Sequence, residues 1–278
     1  MSIRADGSLL THSWVQAARL LMRWRRDPAV MIGSILRPIC LMLIYQVVLG
    51  EQVRKVTGVE SVYSLVPLCA VLSALFGALG DSVGIQVDRQ TRMISRMWVM
   101  PVHRASVPIG FLIAEAVRAL FGTTLITAIG VAFGLRFTHG WPTVLIYVLI
   151  PSILVIGYSA LILALATRTN GRGFMSWLVG VTISLAFVNP GTTPIGLFPG
   201  WLQPLVRVQP MSPPIETMWA LAHGGPLRWP VLLTVLWAAV QLAVFLPIAM
   251  RGYRRVAESG VYGFCGASTR SRRATAKT

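Results

Sequence analysis

Long, uninterrupted apolar runs separated by short polar or Pro/Gly-rich connectors dominate this 278-residue sequence. A bilayer core of roughly 30 Å needs about 20 mostly apolar residues in a single helix, and several runs approach or exceed that length. They are continuous rather than alternating, which favours helices over the strands of a barrel. Only 12% of the residues are charged, whereas a typical soluble domain carries about a quarter. We therefore predict an all-α integral membrane protein that forms one domain.

Six membrane-spanning helices are predicted, with the two chain termini on the same side. Lys and Arg residues number five in residues 1–28, four in 83–108, two in 168–173 and seven after Met250. These segments together hold eighteen basic residues, whereas the segments on the opposite side of the membrane hold five. The positive-inside rule therefore places both termini in the cytoplasm. The predicted spans are 29–49, 62–82, 109–133, 143–167, 174–189 and 230–250.

The net charge of +16 could indicate a nucleic-acid-binding protein, but here the basic residues are sorted by topology rather than gathered on a soluble surface. We expect lipid headgroups, and no nucleic acid, as their partners. Residues 251–278 form a basic cytoplasmic tail that we predict to be disordered. The three cysteines have no metal or disulfide spacing.

Residues 13–26 have the pattern of an amphipathic helix that lies along the membrane surface. Arg19, Arg23 and Arg26 share one face, and apolar residues including Trp24 occupy much of the other. In such a helix the arginines face lipid phosphates and the tryptophans face the acyl chains. The pattern fits both a simple anchor and an elbow helix that contacts a cytoplasmic partner.

The segment between the second and third spans is too long for a tight turn and is helical in pattern up to Pro101. Three arginines share one face, an aspartate is spaced to pair with one of them, and an apolar ridge runs beside them. We interpret this segment as a docking surface for a partner groove; the alternative is a loop whose arginines only fix topology. The docking residues are Asp88, Arg89, Arg92, Arg96, Met97 and Trp98.

Residues 190–229 contain eight prolines and five glycines, with an apolar stretch too short to cross a membrane. Thr193-Pro194 and Ser212-Pro213 each predict an N-cap followed by proline at the first helical position, and Gly224 ends the second helix. We expect two short helices that form an outer cap. Irregular backbone at this depth lies against protein or a water-filled cavity, so the cap either seals a pathway or is an ordered loop.

Charged residues inside the predicted spans are few. Arg37, Glu115 and Arg118 lie roughly 9 to 14 Å from the cytoplasmic ends at 1.5 Å per residue, and Asp81 ends the second span. These residues could meet in the inner half of the bilayer, where an ionisable group is a functional candidate. A structural Glu115–Arg118 pair with Arg37 extended toward the headgroups is as compatible with the pattern as contact with a substrate.

No energy source for pumping is encoded in the chain. A phosphate-binding loop ends in Gly-Lys-Ser/Thr, but the only lysines are Lys55, which follows Arg54, and Lys277, which follows Ala276. An ion-coupled carrier usually places carboxylates near the bilayer centre, and only Glu115 comes near. If the protein pumps, we expect its engine on another chain.

Several strings together resemble the type-2 ABC exporter permeases, and most closely their daunorubicin-resistance-like branch, which exports drugs and complex lipids. They are RMWVMPVHRAS between the second and third spans, FGLRFTHG after the third, and FPGWLQPLVRVQPMSP before the sixth. The resemblance covers residues 14–255. The sequence departs from the family where Met93 or Ile94 occupies the place in which a glycine is expected.

The resemblance implies a permease in the plasma membrane of a bacterium that moves a lipid or drug outward. Its partners would be two ATP-binding cassette subunits and a second permease, identical or related, with ATP and Mg²⁺ bound by the cassette and no cofactor here. It also implies that the elbow and residues 88–104, including His103 and Arg104, contact the ATPase, and that the short helices after Asn189 form an outer gate. The expected gate residues are Phe198, Trp201, Gln203, Arg207 and Trp219.

A membrane enzyme acting on a lipid-linked substrate is the alternative function. It would need clustered polar groups at one interface, whereas the four histidines are scattered without acidic neighbours in sequence. We predict no catalytic residue and no metal site.

Overall fold

The computed structural model describes residues 9–90, 105–137, 140–168 and 172–275. Within these ranges the chain is helical and contains no strand, and the predicted all-α membrane fold is confirmed. A short 3-10 helix, Ile195–Leu197, precedes the seventh α-helix. The α-helices are α1 (Leu9–Arg26), α2 (Pro28–Thr57), α3 (Val62–Gln90), α4 (Ser106–Ala132), α5 (Trp141–Arg168), α6 (Arg172–Phe187), α7 (Gln203–Val208), α8 (Ser212–His223) and α9 (Arg228–Thr275).

Five of the described helices, α2, α3, α4, α5 and α9, are long and apolar enough to cross a membrane. The predicted fifth span, 174–189, corresponds to α6. At 16 residues, α6 is about 24 Å long, which is shorter than the roughly 30 Å hydrocarbon core. The described part of the chain therefore has five full-length spans and one short apolar helix.

The first two spans are longer than their apolar runs predict. Asp27 lies between α1 and α2 and accepts a hydrogen bond from the Val30 amide through Oδ1 at 3.3 Å, with Pro28 at the first helical position as expected of a helix start. α2 passes the predicted end at Leu49 and continues to Thr57. An exposed ion pair between Lys55 and Glu51, 2.9 Å apart and four residues apart in sequence, supports this polar extension.

α3 is the central helix of the bundle. It packs against α2, α4, α5 and α8, and Leu65, Leu68 and Leu72 are fully or almost fully buried along its length. α2 and α9, in contrast, are mostly exposed along their apolar segments. The best-buried apolar core thus follows the first half of α3.

Helix α4 ends in a Schellman motif that the sequence analysis did not anticipate. Gly134 has a φ of 106°, and the Leu135 amide donates to the Gly130 carbonyl at 2.9 Å while the Gly134 amide donates to Val131 at 3.1 Å. Leu135 is fully buried, which is the apolar contact that usually accompanies this motif.

Two features after α6 differ from the predictions. Neither predicted side-chain N-cap forms: the 3-10 helix is preceded by Pro194, and α8 includes Ser212 with Met211 at the capping position. Ser212 Oγ instead accepts a hydrogen bond from Gln209 Nε2 at 2.8 Å, so it is engaged elsewhere. The predicted stop at Gly224 is confirmed, with φ 96° and its amide bonded to the Ala220 carbonyl. α7 is an additional short helix.

The last helix also continues into the basic tail. α9 continues from the membrane span through Met250 to Thr275 as one helix of 48 residues. The sequence after Pro247 contains no proline and is rich in Arg and Ala, which are good helix formers.

Candidate functional site: an ionic cluster between two cavities

An ionic cluster joins α3 and α4 in the interior of the bundle. Arg118 Nη1 lies 3.0 Å from Glu115 Oε1 one turn earlier in α4 and also pairs with Asp81 of α3. Glu115 is only 3% exposed. A buried carboxylate of this kind is tolerated only with a charged or hydrogen-bonding partner, and Arg118 supplies it.

Arg37 of α2 lies beside this cluster. A Cβ atom placed on Gly33 or Gly80 would be 3.7 Å from the Arg37 guanidinium, so the side chain extends from α2 to α3 next to Asp81. A small cavity of about 60 Å³ is lined by Arg37, Asp81, Glu115 and Arg118 among others. The four charged residues predicted to meet are therefore brought together by three helices.

Helix α1 docks on the bundle through one edge of its amphipathic pattern. Ser13 and Ala17 are buried and pack on α4, whereas Trp14 is 59% exposed. The buried edge lies between the basic face and the apolar face. The part of the apolar face around Trp14 therefore stays clear of the bundle, as a helix in the headgroup layer requires.

Close approach of α1 to α4 depends on Gly110. A Cβ atom there would lie 2.6 Å from Gln16 Cβ and 2.8 Å from the Ser13 carbonyl oxygen. Farther along α1, the Trp24 ring packs edge-on against Phe121 with 5.4 Å between centroids and lies 5.9 Å from Arg118 Cζ. α1 is thereby connected directly to the ionic cluster.

A cavity of about 350 Å³, the elbow cavity, lies between α1 and the bundle. Its wall combines charged groups from α1 and the cluster with an apolar side from α3, α4 and α5. Gln16 Oε1 and Arg118 Nε are buried there without a hydrogen-bond partner among the described residues. The polar residues of the wall are Gln16, Arg19, Arg23, Asp27, Asp81, Glu115 and Arg118, and its apolar residues include Leu20, Ile85, Pro108, Phe111 and Leu163.

The remaining elbow and docking residues can be placed only in part. Arg26 ends α1 and is exposed. Asp88 and Arg89 belong to the last turn of α3. The predicted contacts Arg92, Arg96, Met97, Trp98, His103 and Arg104 lie outside the described residues, and the docking surface stays a prediction.

A third cavity, of about 540 Å³, lies at the other end of α2 and is called the cap cavity. Val30 of α2 lines the elbow cavity and Val56 lines the cap cavity. They are 26 residues apart on one helix, or about 39 Å at 1.5 Å per residue. Because this exceeds the roughly 30 Å bilayer core, the two cavities lie near opposite membrane surfaces.

The segment that covers this end of the bundle is held by specific hydrogen bonds. Gln209 Nε2 donates to the Val188 carbonyl, Gln203 Nε2 donates to Phe198 at 2.9 Å, and Trp237 Nε1 of α9 donates to Val208 at 2.6 Å. These bonds attach α7 and the loop after α6 to the bundle. The predicted cap is an ordered structure with a cavity beside it.

The five predicted gate residues do not form one cluster. Trp219 lines the cap cavity, whereas Trp201 is 77% exposed and Arg207 is exposed on α7. Phe198 and Gln203 are linked by the hydrogen bond just described. Of the five, only Trp219 is part of the cavity wall.

Sequence reasoning missed Glu216, which lines the cap cavity beside Trp219. The signal was present, because Glu216 is one of only nine acidic residues and the only one in the Pro-rich segment. Among the residues described, no group of three or more His, Cys, Asp or Glu is placed to hold a metal ion.

Comparison with known proteins gives related sequences over most of the chain. The chain is similar to a probable doxorubicin resistance ABC transporter permease protein, DrrC, of Mycobacterium tuberculosis, with 35% identity over 242 residues and 87% of each chain covered. It is also similar to the daunorubicin resistance ABC transporter permease protein DrrB1 of Streptomyces coeruleorubidus, with 24% identity over 258 residues, 90% of this chain and 87% of that protein.

The family model described as "ABC-2 type transporter" matches residues 11–221. The matched region begins in α1, contains the whole ionic cluster and ends in α8, so it includes every element that lines either cavity except α9. Together with the 35% identity over most of both chains, this match shows the family. The chain therefore belongs to the ABC-2 type transporters.

Proposed function

We propose that this chain is the membrane-spanning permease subunit of an ATP-driven exporter that moves a hydrophobic or amphipathic substrate, a lipid or a drug, out of the cell. The observation that carries the proposal is the family match from Thr11 to Leu221, which includes the elbow helix, the ionic cluster and most of the cap. Its relatives are named as permeases of drug-resistance transporters. They are transport subunits rather than enzymes.

The energy source is a separate subunit. ABC-2 permeases work with ATP-binding cassette subunits, and this sequence has no Gly-Lys-Ser/Thr loop of its own. We propose two cassette subunits, which bind ATP and Mg²⁺, and a second permease, identical or related. The docking surface at residues 88–104 and the elbow helix would contact the cassette.

The proposed orientation places both termini in the cytoplasm of a bacterium, as the distribution of eighteen basic residues against five favours. The elbow cavity then opens toward the inner leaflet and the cap cavity toward the outer surface. An amphipathic molecule would place its polar group near Arg19, Arg23 and the ionic cluster, and its apolar part along Phe111 and Leu163. Both kinds of wall are present in the elbow cavity.

Movement of the cassette would be transmitted through the docking surface to α3 and α4, which carry the ionic cluster. Hinge and shear movements of packed helices are the usual form of such a transition. The cap, at the other end of α2, would open as the elbow cavity closes. This order of events gives the substrate access to one membrane surface at a time.

A pull-down of the tagged chain in mild detergent, analysed by mass spectrometry, tests the assembly. We expect an ATP-binding cassette subunit and a permease to be recovered together. The triple variant Arg92→Ala, Arg96→Ala, Trp98→Ala should lose the cassette and still insert into the membrane. Equal recovery of the cassette by the triple variant would refute the docking surface, and its absence from the wild-type pull-down would refute the exporter.

A further inference from the structure

The cap cavity has an unusual wall for a space at a membrane surface. It is bounded by the end of α2, the start of α3, the loop after α6 and helix α8. Most of its lining is apolar, from valine, isoleucine and proline side chains, and Glu216 is the only charged residue among the described residues that line it. The cavity volume of about 540 Å³ is within the range of sites that hold small organic molecules.

Glu216 lacks a close partner for its charge. Its side chain is half-buried, and none of the described residues forms a hydrogen bond or an ion pair with its carboxylate. Burial raises the pKa of Glu216, and the positive charge of Arg207 on α7 opposes this increase from a greater distance. A half-buried carboxylate without a partner is costly, and a positively charged ligand would remove that cost.

Trp219 lies one helical turn after Glu216 and lines the same cavity. Its ring packs against His223, with 5.0 Å between centroids, and His223 packs in turn against Tyr63 of α3 at 5.3 Å. These contacts hold the indole ring in place at the wall. Tryptophan is the side chain whose face attracts cations most strongly.

We propose that the cap cavity is a binding site for an amphipathic organic cation, with the positive charge beside Glu216 and the apolar body against Trp219 and the proline-rich wall. An anion would meet the carboxylate unfavourably, and a neutral lipid would leave it without a partner. This inference rests on the proposed function, because the cation would be a substrate held at the end of the pathway opposite to the elbow cavity.

Binding of tetraphenylphosphonium to the purified full-length chain tests the site, with tetraphenylborate as the anionic probe of similar shape. Equilibrium dialysis of the radiolabelled cation should show saturable binding that Glu216→Gln weakens about tenfold, which corresponds to about 1.4 kcal/mol. The matched control is Glu51→Gln. Glu51 also lies near the end of α2, but its side chain is 70% exposed and paired with Lys55, so its loss should change affinity by less than about twofold.

Equal affinity for the cation and the anion would overturn the inference, and so would unchanged binding in a correctly folded Glu216→Gln variant. If that variant fails to fold, Trp219→Leu provides the second test, with an expected loss of cation affinity of at least about threefold. The comparison of the two probes on the wild-type chain tests the inference without any variant. Dialysis does not depend on the cassette subunit. A cassette in the pull-down without cation binding therefore refutes only this site, and cation binding without a cassette refutes only the exporter.

Discussion

The indole ring of Trp24 in α1 lies 5.9 Å from the guanidinium carbon of Arg118 in α4. The arginine at the centre of the ionic cluster is thus also the residue that the elbow helix touches. Because Arg118 pairs with Asp81 of α3 and Glu115 of α4, a displacement of α1 reaches two spanning helices through one side chain.

Replacing Trp24 should loosen the elbow. Trp24→Ala removes the edge-on contact with Phe121 and the cation–π contact with Arg118, which together contribute about 1 to 2 kcal/mol. Thermal unfolding followed by circular dichroism should begin at a lower temperature. Trp14→Ala is the matched control, because Trp14 is on the same helix but exposed; equal effects of the two substitutions would contradict the proposed contact.

Removing Arg118 should destabilise the bundle more than removing the whole cluster. Arg118→Leu leaves Asp81 and the buried Glu115 without their partner, a change that costs about 3 to 5 kcal/mol in buried ion pairs. The triple variant Asp81→Asn, Glu115→Gln, Arg118→Leu removes the three paired charges together and leaves only the exposed Arg37, so it should regain most of the stability. The same thermal measurement tests both variants, and a triple variant less stable than Arg118→Leu would show that the cluster does not act as a charge-balanced unit.

A methyl group at Gly110 should separate α1 from α4. In Gly110→Ala the added Cβ meets the Ser13 carbonyl oxygen, a backbone atom that cannot rotate away, and overpacking of this kind costs about 1 to 3 kcal/mol. Gly77→Ala in α3 is the control, since a Cβ there meets nothing within 4 Å. Limited proteolysis should cut the α1–α2 junction faster in Gly110→Ala only.

Arg37→Leu should alter substrate-stimulated ATP hydrolysis of the assembled transporter while leaving its assembly intact. Arg37 is exposed and lines the small cavity beside the cluster, so its charge is available to a substrate or a headgroup. ATP turnover with and without an amphipathic substrate measures the effect. Wild-type stimulation in the variant would assign Arg37 a structural role only.

Cation binding at the cap cavity should depend on pH through Glu216. The carboxylate attracts a cation only when deprotonated, so affinity is present above its pKa and lost as the pH falls through it. Because burial raises the pKa of Glu216, the loss should occur above the ordinary glutamate value of about 4.3. Dialysis of tetraphenylphosphonium across this pH range should show the loss in the wild-type chain and not in Glu216→Gln.

His223 follows Glu216 on α8, and its ring packs against Trp219 of the cavity wall. His223→Gln should retain the loss of affinity at acid pH. A flat profile in His223→Gln would contradict the assignment of the pH dependence to Glu216.

The spanning helices and the ionic cluster could be predicted from sequence for the same reason. Charges are so rare in the apolar runs that Arg37, Glu115 and Arg118 are conspicuous, and the rise per residue places them at one depth. Which of these charged residues pair across helices could not be predicted from the same pattern. The pair between Arg118 and Asp81 depends on how α3 packs on α4, and periodicity within one helix contains no information on that packing.

The cap could also be predicted only in part. Its prolines and glycines correctly indicate short broken helices, and Gly224 ends α8 where the pattern places the end. The role proposed for Glu216 depends on a wall contributed by Val56 and Ser64, which are more than 150 residues away in the sequence. Ser212 shows that even a local pattern can fail, because a serine suited to capping is bound by Gln209 instead.

Helix α2 is one continuous helix with an end in each cavity and little of its apolar segment buried by the rest of the chain. At about 39 Å between Val30 and Val56, a tilt of only about 10° around one end carries the other end through about 7 Å. A helix of this length therefore converts a small movement near Arg37 into a displacement as wide as an aromatic ring at the other surface of the bilayer. Such a movement would require α2 to remake its contacts with α3 and α4.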